Sequence, residues 1–112
     1  MASVSNLYID QGSDFIVVVT LTNQDGTPLN LENFQVKSQF RKSYQSSQAV
    51  NFNIEILEPF TSGKIRMSLP ADSSSPLLAG RYLYDVEVTN QLGERRRALE
   101  GIVILTPEIT RV

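Results

Sequence analysis

The chain is predicted to be an all-β protein, an immunoglobulin-like antiparallel β-sandwich of about seven strands. Three observations lead there. Apolar residues alternate with polar ones in several short runs, the signature of strands with one buried face. Turn residues, among them Asp25-Gly26 and Asn90-Gln91-Leu92-Gly93, separate those runs. No stretch carries the periodicity of a full-length amphipathic helix. A closed small barrel is the competing architecture.

Residues 78–101 organise this reading. Tyr82, Tyr84, Val86 and Val88 alternate with Arg81, Leu83, Asp85 and Glu87, then a turn at 90–93 leads into a second strand. Together they form the central hairpin of the sandwich.

The other elements follow in order. Residues 1–6 read as a loose end, and residues 7–10 as a short first strand broken by Gln11-Gly12-Ser13. Residues 14–22 are the densest in β-branched side chains, which suit a pleated surface. There Phe15, Val17, Val19 and Leu21 share one parity and are assigned to the core. Ile16 and Val18 share the other parity, so partial cover on both sides is expected. Leu29, Leu31 and Phe34 plug an irregular crossing, and residues 35–41 form a strand with Val36 and Phe40 inward around Ser38.

Residues 42–48 are the most polar stretch and read as an exposed loop. Residues 49–57 and 64–69 alternate again, with Ile65, Met67 and Leu69 inward. Residues 70–79 are a Pro-interrupted crossover in which Asp72 is a candidate cap for one helical turn that sets Leu77 or Leu78 into the core. The last strand spans 94–105, and residues 107–112 form a flexible exit. The whole of 1–112 is read as one domain.

Composition narrows function more than it names it. The chain of 112 residues has no cysteine and no histidine, which excludes disulfides, thiolate catalysis and any histidine-based triad or dyad. The net charge of −2 gives no concentrated positive surface for nucleic acid, so none is expected as a partner. No apolar run reaches the length of a membrane span, no signal peptide is expected at 1–6, and no membrane partner is expected. No cofactor or metal pattern stands out, Asp25-Gly26 matches no calcium loop, and no enzymatic activity is expected.

Four residues stand out as candidate protein-binding positions. Arg95, Arg96 and Arg97 are the one basic run, and consecutive strand residues cannot all face one way. The plainer role for them is pairing across the hairpin with Asp85 and Glu87. That pairing would keep both carboxylates ionised, which suits a structural pair better than a proton shuttle. Tyr44, set among Ser43, Gln45, Ser46, Ser47 and Gln48, makes a polar-aromatic loop of the composition used in binding surfaces. Tyr82, preceded by Leu78 and Gly80, has the spacing of a tyrosine corner, in which the hydroxyl returns to upstream backbone. The cysteine pair and core tryptophan of antibody domains are absent.

The order of motifs resembles a known family. Gln11-Gly12-Ser13-Asp14-Phe15 comes first, then 21–31 with its Asp25-Gly26 turn, Gly80-Arg81-Tyr82-Leu83-Tyr84-Asp85, and a close at Gly101 to Thr110-Arg111. This run resembles small immunoglobulin-like domains of tailed bacteriophages. It is similar to the N-terminal domains of phage baseplate upper proteins and to stand-alone virion accessory proteins. The likeness rests on Gly26, Leu31, Gly80, Tyr82, Tyr84, Asp85, Gly93, Gly101, Thr110 and Arg111. It implies a non-enzymatic structural or adaptor protein of a virion (tail, baseplate, fibre or capsid accessory) assembled in a host cytoplasm. Its partners would be other virion proteins and further copies of itself. Baseplate proteins of this kind carry a receptor-binding or coiled-coil region that this sequence lacks, which favours a small separate component. A carbohydrate- or cell-surface-binding module is the alternative, for which only Tyr44 and Tyr8 are expected as exposed aromatics.

Overall fold

The computed structural model describes residues 3–110. Its strands are β1 (Ser3–Val4), β2 (Leu7–Asp10), β3 (Phe15–Thr20), β4 (Gln35–Arg41), β5 (Val50–Asn51), β6 (Asn53–Ile56), β7 (Lys64–Leu69), β8 (Gly80–Thr89) and β9 (Arg95–Thr106). One helical turn, α1 (Ala71–Ser74), lies between β7 and β8. The strands form two packed sheets. The larger runs β1-β9-β8-β4-β5 with β2 also on β9, and the smaller runs β3-β7-β6. This is the expected β-sandwich. The nine strands reduce to the expected seven once β1–β2 and β5–β6 are each taken as one interrupted strand.

The first interruption corrects the reading of residues 1–6 as a loose end, because Ser3 and Val4 already pair with Leu99 and Glu100. The same register continues from Leu7 opposite Val103 to Asp10 opposite Thr106. At the break the ladder is completed by a side chain, the Ile102 N–H donating to Asn6 Oδ1 at 3.1 Å. A two-residue strand followed by a Ser-Asn break shows no alternation, so sequence pattern alone does not reveal it. Both segments run parallel to β9, while the other strand pairings are antiparallel as expected. The chain leaves β2 for the other sheet instead of folding back as a hairpin. At the exit, the Glu108 N–H donates to Gln11 Oε1 at 3.0 Å, and Gln11 Nε2 donates to the Leu77 carbonyl at 2.7 Å. Arg111 lies outside the described residues, as do Met1, Ala2 and Val112.

The second interruption falls at Phe52. Val50 and Asn51 pair with β4 in the larger sheet, while Asn53 to Ile56 pair with β7 in the smaller one. Phe52 itself is buried between them, its ring centroid 5.1 Å from Phe40 and 6.0 Å from Phe15. Tyr84 meets it edge-on at 6.3 Å. This aromatic cluster joins the two inner faces and anchors a core that includes Leu7, Ile9, Ile65, Met67, Val86 and Val103.

Tyr82 forms the corner anticipated from its spacing. Its hydroxyl donates to the Leu78 carbonyl at 2.6 Å and ties the 70–79 crossover to the start of β8. Lys42 Nζ lies 4.8 Å from the centroid of the same ring. Asp72 does not cap α1. Pro70 holds the cap position, and Asp14 of the opposite turn accepts the Ala71 N–H at 2.8 Å. Leu77 packs on the core and Leu78 is exposed. Partial cover of β3 on both sides is also corrected. Ile16 is 66% exposed and Val18 48%, because none of the described residues packs over the outer face of the smaller sheet there.

Candidate docking face

Of the candidate site residues, Arg97 and Tyr44 meet at the outer face of the larger sheet, and strand alternation decides what lies beside them. On β8 the side chains of Tyr82, Tyr84, Val86 and Val88 point to the core, which turns Arg81, Leu83, Asp85 and Glu87 outward. On β9 the outward set includes Glu100 and Ile102, and on β4 it includes Gln39 and Arg41. Leu83 is register partner to both Ile102 and Arg41, so an apolar strip lies inside a charged border.

A shallow open groove of about 500 Å³ follows this strip. Its lining includes the apolar side chains of Val4, Leu83 and Ile102, the charged ones of Arg41, Asp85, Arg97 and Glu100, and Tyr44. Val4 is 74% exposed and Tyr44 76%. The Tyr44 loop is held by Arg41, whose Nη1 donates to the Ser46 carbonyl at 2.9 Å, and by a turn bond from the Ser46 N–H to the Ser43 carbonyl at 3.2 Å.

The three arginines part company. Arg97 Nε donates to Asp85 Oδ2 at 3.1 Å and its Nη1 to Glu100 Oε2 at 3.1 Å. Partial burial opposes its charge, but the carboxylates of Asp85 and Glu100 outweigh that and raise its pKa above the ordinary arginine value. Arg97 is therefore a fixed charge in the groove wall. The expected partner Glu87 sits opposite Arg97 in register, yet the ion pairs go to Asp85 and Glu100. The cause is a bulge between Val86 and Glu87, where Ala98 is an extra residue on β9 and turns inward beside Leu99. Arg95 and Arg96 are exposed near the hairpin turn, opposite Thr89 and Val88, and do not line the groove.

Tyr44 and Arg97 thus come together, and Arg95 and Arg96 stand apart. The residues overlooked by sequence reasoning are Val4, Leu83 and Ile102. The signal that could have found them is an apolar side chain at outward parity on a strand that otherwise shows charge, as Leu83 is between Arg81 and Asp85.

Behind the groove, Tyr84 donates its hydroxyl to the Ser5 carbonyl at 2.5 Å. Burial pushes its pKa up, opposed by that bond, and burial alone pushes up that of Tyr82. Both tyrosines are neutral structural donors at physiological pH.

The fold and this face define a small immunoglobulin-like β-sandwich module. No family model and no curated protein matches the chain. Among solved structures it is similar to an internalin-like protein of Listeria monocytogenes, at 13% identity and a TM-score of 0.45, covering 96% of this chain and 28% of that one. It is similar to AggA, the major subunit of aggregative adherence fimbriae type I from Escherichia coli, at 12% identity and a TM-score of 0.42, covering 94% of this chain and 91% of that one. It is also similar to a family 123 glycoside hydrolase from Clostridium perfringens, at 10% identity and a TM-score of 0.46, covering 98% of this chain and 24% of that one. The chain thus spans about a quarter of the internalin-like protein and of the hydrolase. None of the three is a phage protein. These likenesses concern chain course alone, and the fold class rests on the two sheets themselves.

Proposed function

We propose that this chain is a non-enzymatic structural adaptor of a tailed-bacteriophage virion that docks on another virion protein through the outer face of its larger sheet. The observation that carries the docking reading is the groove, in which half-buried Leu83 and Ile102 lie beside Arg41, Asp85, Arg97 and Glu100, with exposed Val4 at the sheet edge opposite Glu100. An apolar centre with a polar rim is the anatomy of a protein–protein interface. The phage assignment is supported by the sequence resemblance, whose positions hold the fold's turns and corner. Gly26 and Gly93 take positive φ at loop tips, Tyr82 forms the corner, and Gly101 lies against Ser5.

The test is mass spectrometry of purified particles for the chain and its copy number, followed by incorporation of Leu83→Glu. The proposal expects a fixed copy number for the unmodified chain and loss of the folded Leu83→Glu variant from particles. Absence from particles overturns the phage reading, and full incorporation of the variant overturns the face. A carbohydrate module is the second reading, favoured by the exposed Tyr44 ring beside the groove. Reproducible binding to one sugar class on a glycan array, lost in Tyr44→Ala, selects it instead.

A further inference from the structure

The smaller sheet ends in a strand edge that the proposed docking face leaves unused. β3 is bonded to β7 alone, and its other edge has no strand partner among the described residues. The phase of that ladder is fixed by the Leu21 N–H, which donates to the Gly63 carbonyl at 2.7 Å on the β7 side. Bonding alternates along an antiparallel pair, so Phe15, Val17 and Val19 also turn their backbone groups toward β7. Ile16, Val18 and Thr20 turn theirs outward.

Proteins ordinarily blunt such an edge with charge, proline, a bulge or brevity. The other edges here obey that rule: β5 has two residues, β6 carries Glu55, and the β1–β2 edge is broken at Asn6. β3 reads Phe-Ile-Val-Val-Val-Thr, six residues with no charge, no proline and no glycine, and it pairs with β7 in unbroken register.

The edge is also complementary to itself. A two-fold axis through Val17 sets Ile16 of one copy opposite Val18 of the other, and Val18 opposite Ile16. These are the residues whose backbone groups point outward, so each pair exchanges both of its hydrogen bonds. The same axis keeps faces matched. The exposed Ile16 and Val18 cover each other on the outer face, and the half-buried Phe15 meets Val19 on the inner one. Charge agrees as well. Asp14 of one copy lies opposite Thr20 of the other, and Thr20 is flanked on β7 by Lys64. An acidic residue therefore lies two strand spacings, about 10 Å, from a basic one at each end of the joint.

We propose that two copies of this chain pair antiparallel through β3, about a two-fold axis at Val17, and join their three-stranded sheets into one continuous sheet. The occupant of the edge is a second copy of the same chain.

Sedimentation of the full chain between about 10 μM and about 1 mM reads the equilibrium. The expected result is a dimer whose dissociation constant rises by at least about tenfold in Val18→Lys, a change at an exposed side chain that leaves the monomer folded. A dimer unaltered in Leu83→Glu separates this joint from the docking face. Val17 faces its own copy in a non-hydrogen-bonded pair with Cα atoms about 4.5 Å apart, inside the range a disulfide bridges. Since the chain has no cysteine, oxidised Val17→Cys is expected to give a covalent dimer and Tyr44→Cys none. A monomer at the highest concentration overturns the proposal. So does a dimer unchanged by Val18→Lys, or a Val17→Cys protein that stays uncrosslinked while sedimenting as a dimer.

Discussion

Gly101 lies opposite Tyr84 in the β8–β9 ladder, and the space left by its missing side chain is filled by the N-terminal strand. A Cβ built there would sit tightly against the Tyr84 ring and far too close to the Ser5 carbonyl oxygen, which accepts the Tyr84 hydroxyl. One glycine thus lets β1–β2 close onto β9, and one tyrosine holds it there. The edge beside the groove depends on both.

Gly101→Ala is expected to cost about 1–3 kcal/mol, the usual penalty of forcing atoms into a filled site. Urea unfolding measures the loss. Hydrogen exchange is expected to show it concentrated in amides of β1, β2 and the facing part of β9, with β3 and β7 unaffected.

Tyr82→Phe removes the bond to Leu78 while keeping the ring, which packs edge-on against Phe40 at 5.4 Å. One lost hydrogen bond of this kind is worth about 1 kcal/mol. The expected result is a lower urea midpoint with an unchanged m-value.

Phe52→Ala is expected to be more damaging than either Gly101→Ala or Tyr82→Phe, at about 3–5 kcal/mol. Phe52 is buried where the chain passes from one sheet to the other, and its ring packs with those of Phe15, Phe40 and Tyr84. Differential scanning calorimetry checks this against Val18→Ala, whose exposed side chain is expected to cost little.

Burial raises the pKa of Tyr84 and of Tyr82 above the ordinary value of 10.0. A raised tyrosine pKa favours the neutral form in the folded state. Its contribution is fully present below about pH 10 and falls away as pH rises from there through the folded-state value. Stability is therefore expected to be flat on this account from neutral pH to about pH 10 and to decline above it. In Tyr84→Phe the alkaline decline is expected to be shallower, which unfolding measured between about pH 8 and about pH 12 will show.

Alternation made most of this fold legible in advance. The inward sets on β7 and β8, the corner at Tyr82 and the Asp25-Gly26 turn all follow from residue order and side-chain type. What escaped depends on tertiary closure. Ser3–Val4 pairs with β9 because Asn6 and Gly101 permit it, and neither residue signals a strand. The break at Phe52 sits inside a clean alternating run, since a strand that changes sheets keeps its period. The site was half legible. Tyr44 stands where its loop composition suggested, but the bulge at Ala98 re-aims the arginine run and sends Arg97 to Asp85 and Glu100. A bulge leaves no mark in a stretch that is charged on one side of it and apolar on the other.

The central claim is that the strip of Val4, Leu83 and Ile102 meets a partner in an assembled particle. The most direct measurement is the amount of Leu83→Glu incorporated into purified particles, relative to the unmodified chain, with circular dichroism showing both proteins equally folded. The account predicts at least about a tenfold deficit for the variant, the size expected of a charge placed at an apolar interface centre. Equal incorporation of the two proteins would contradict it.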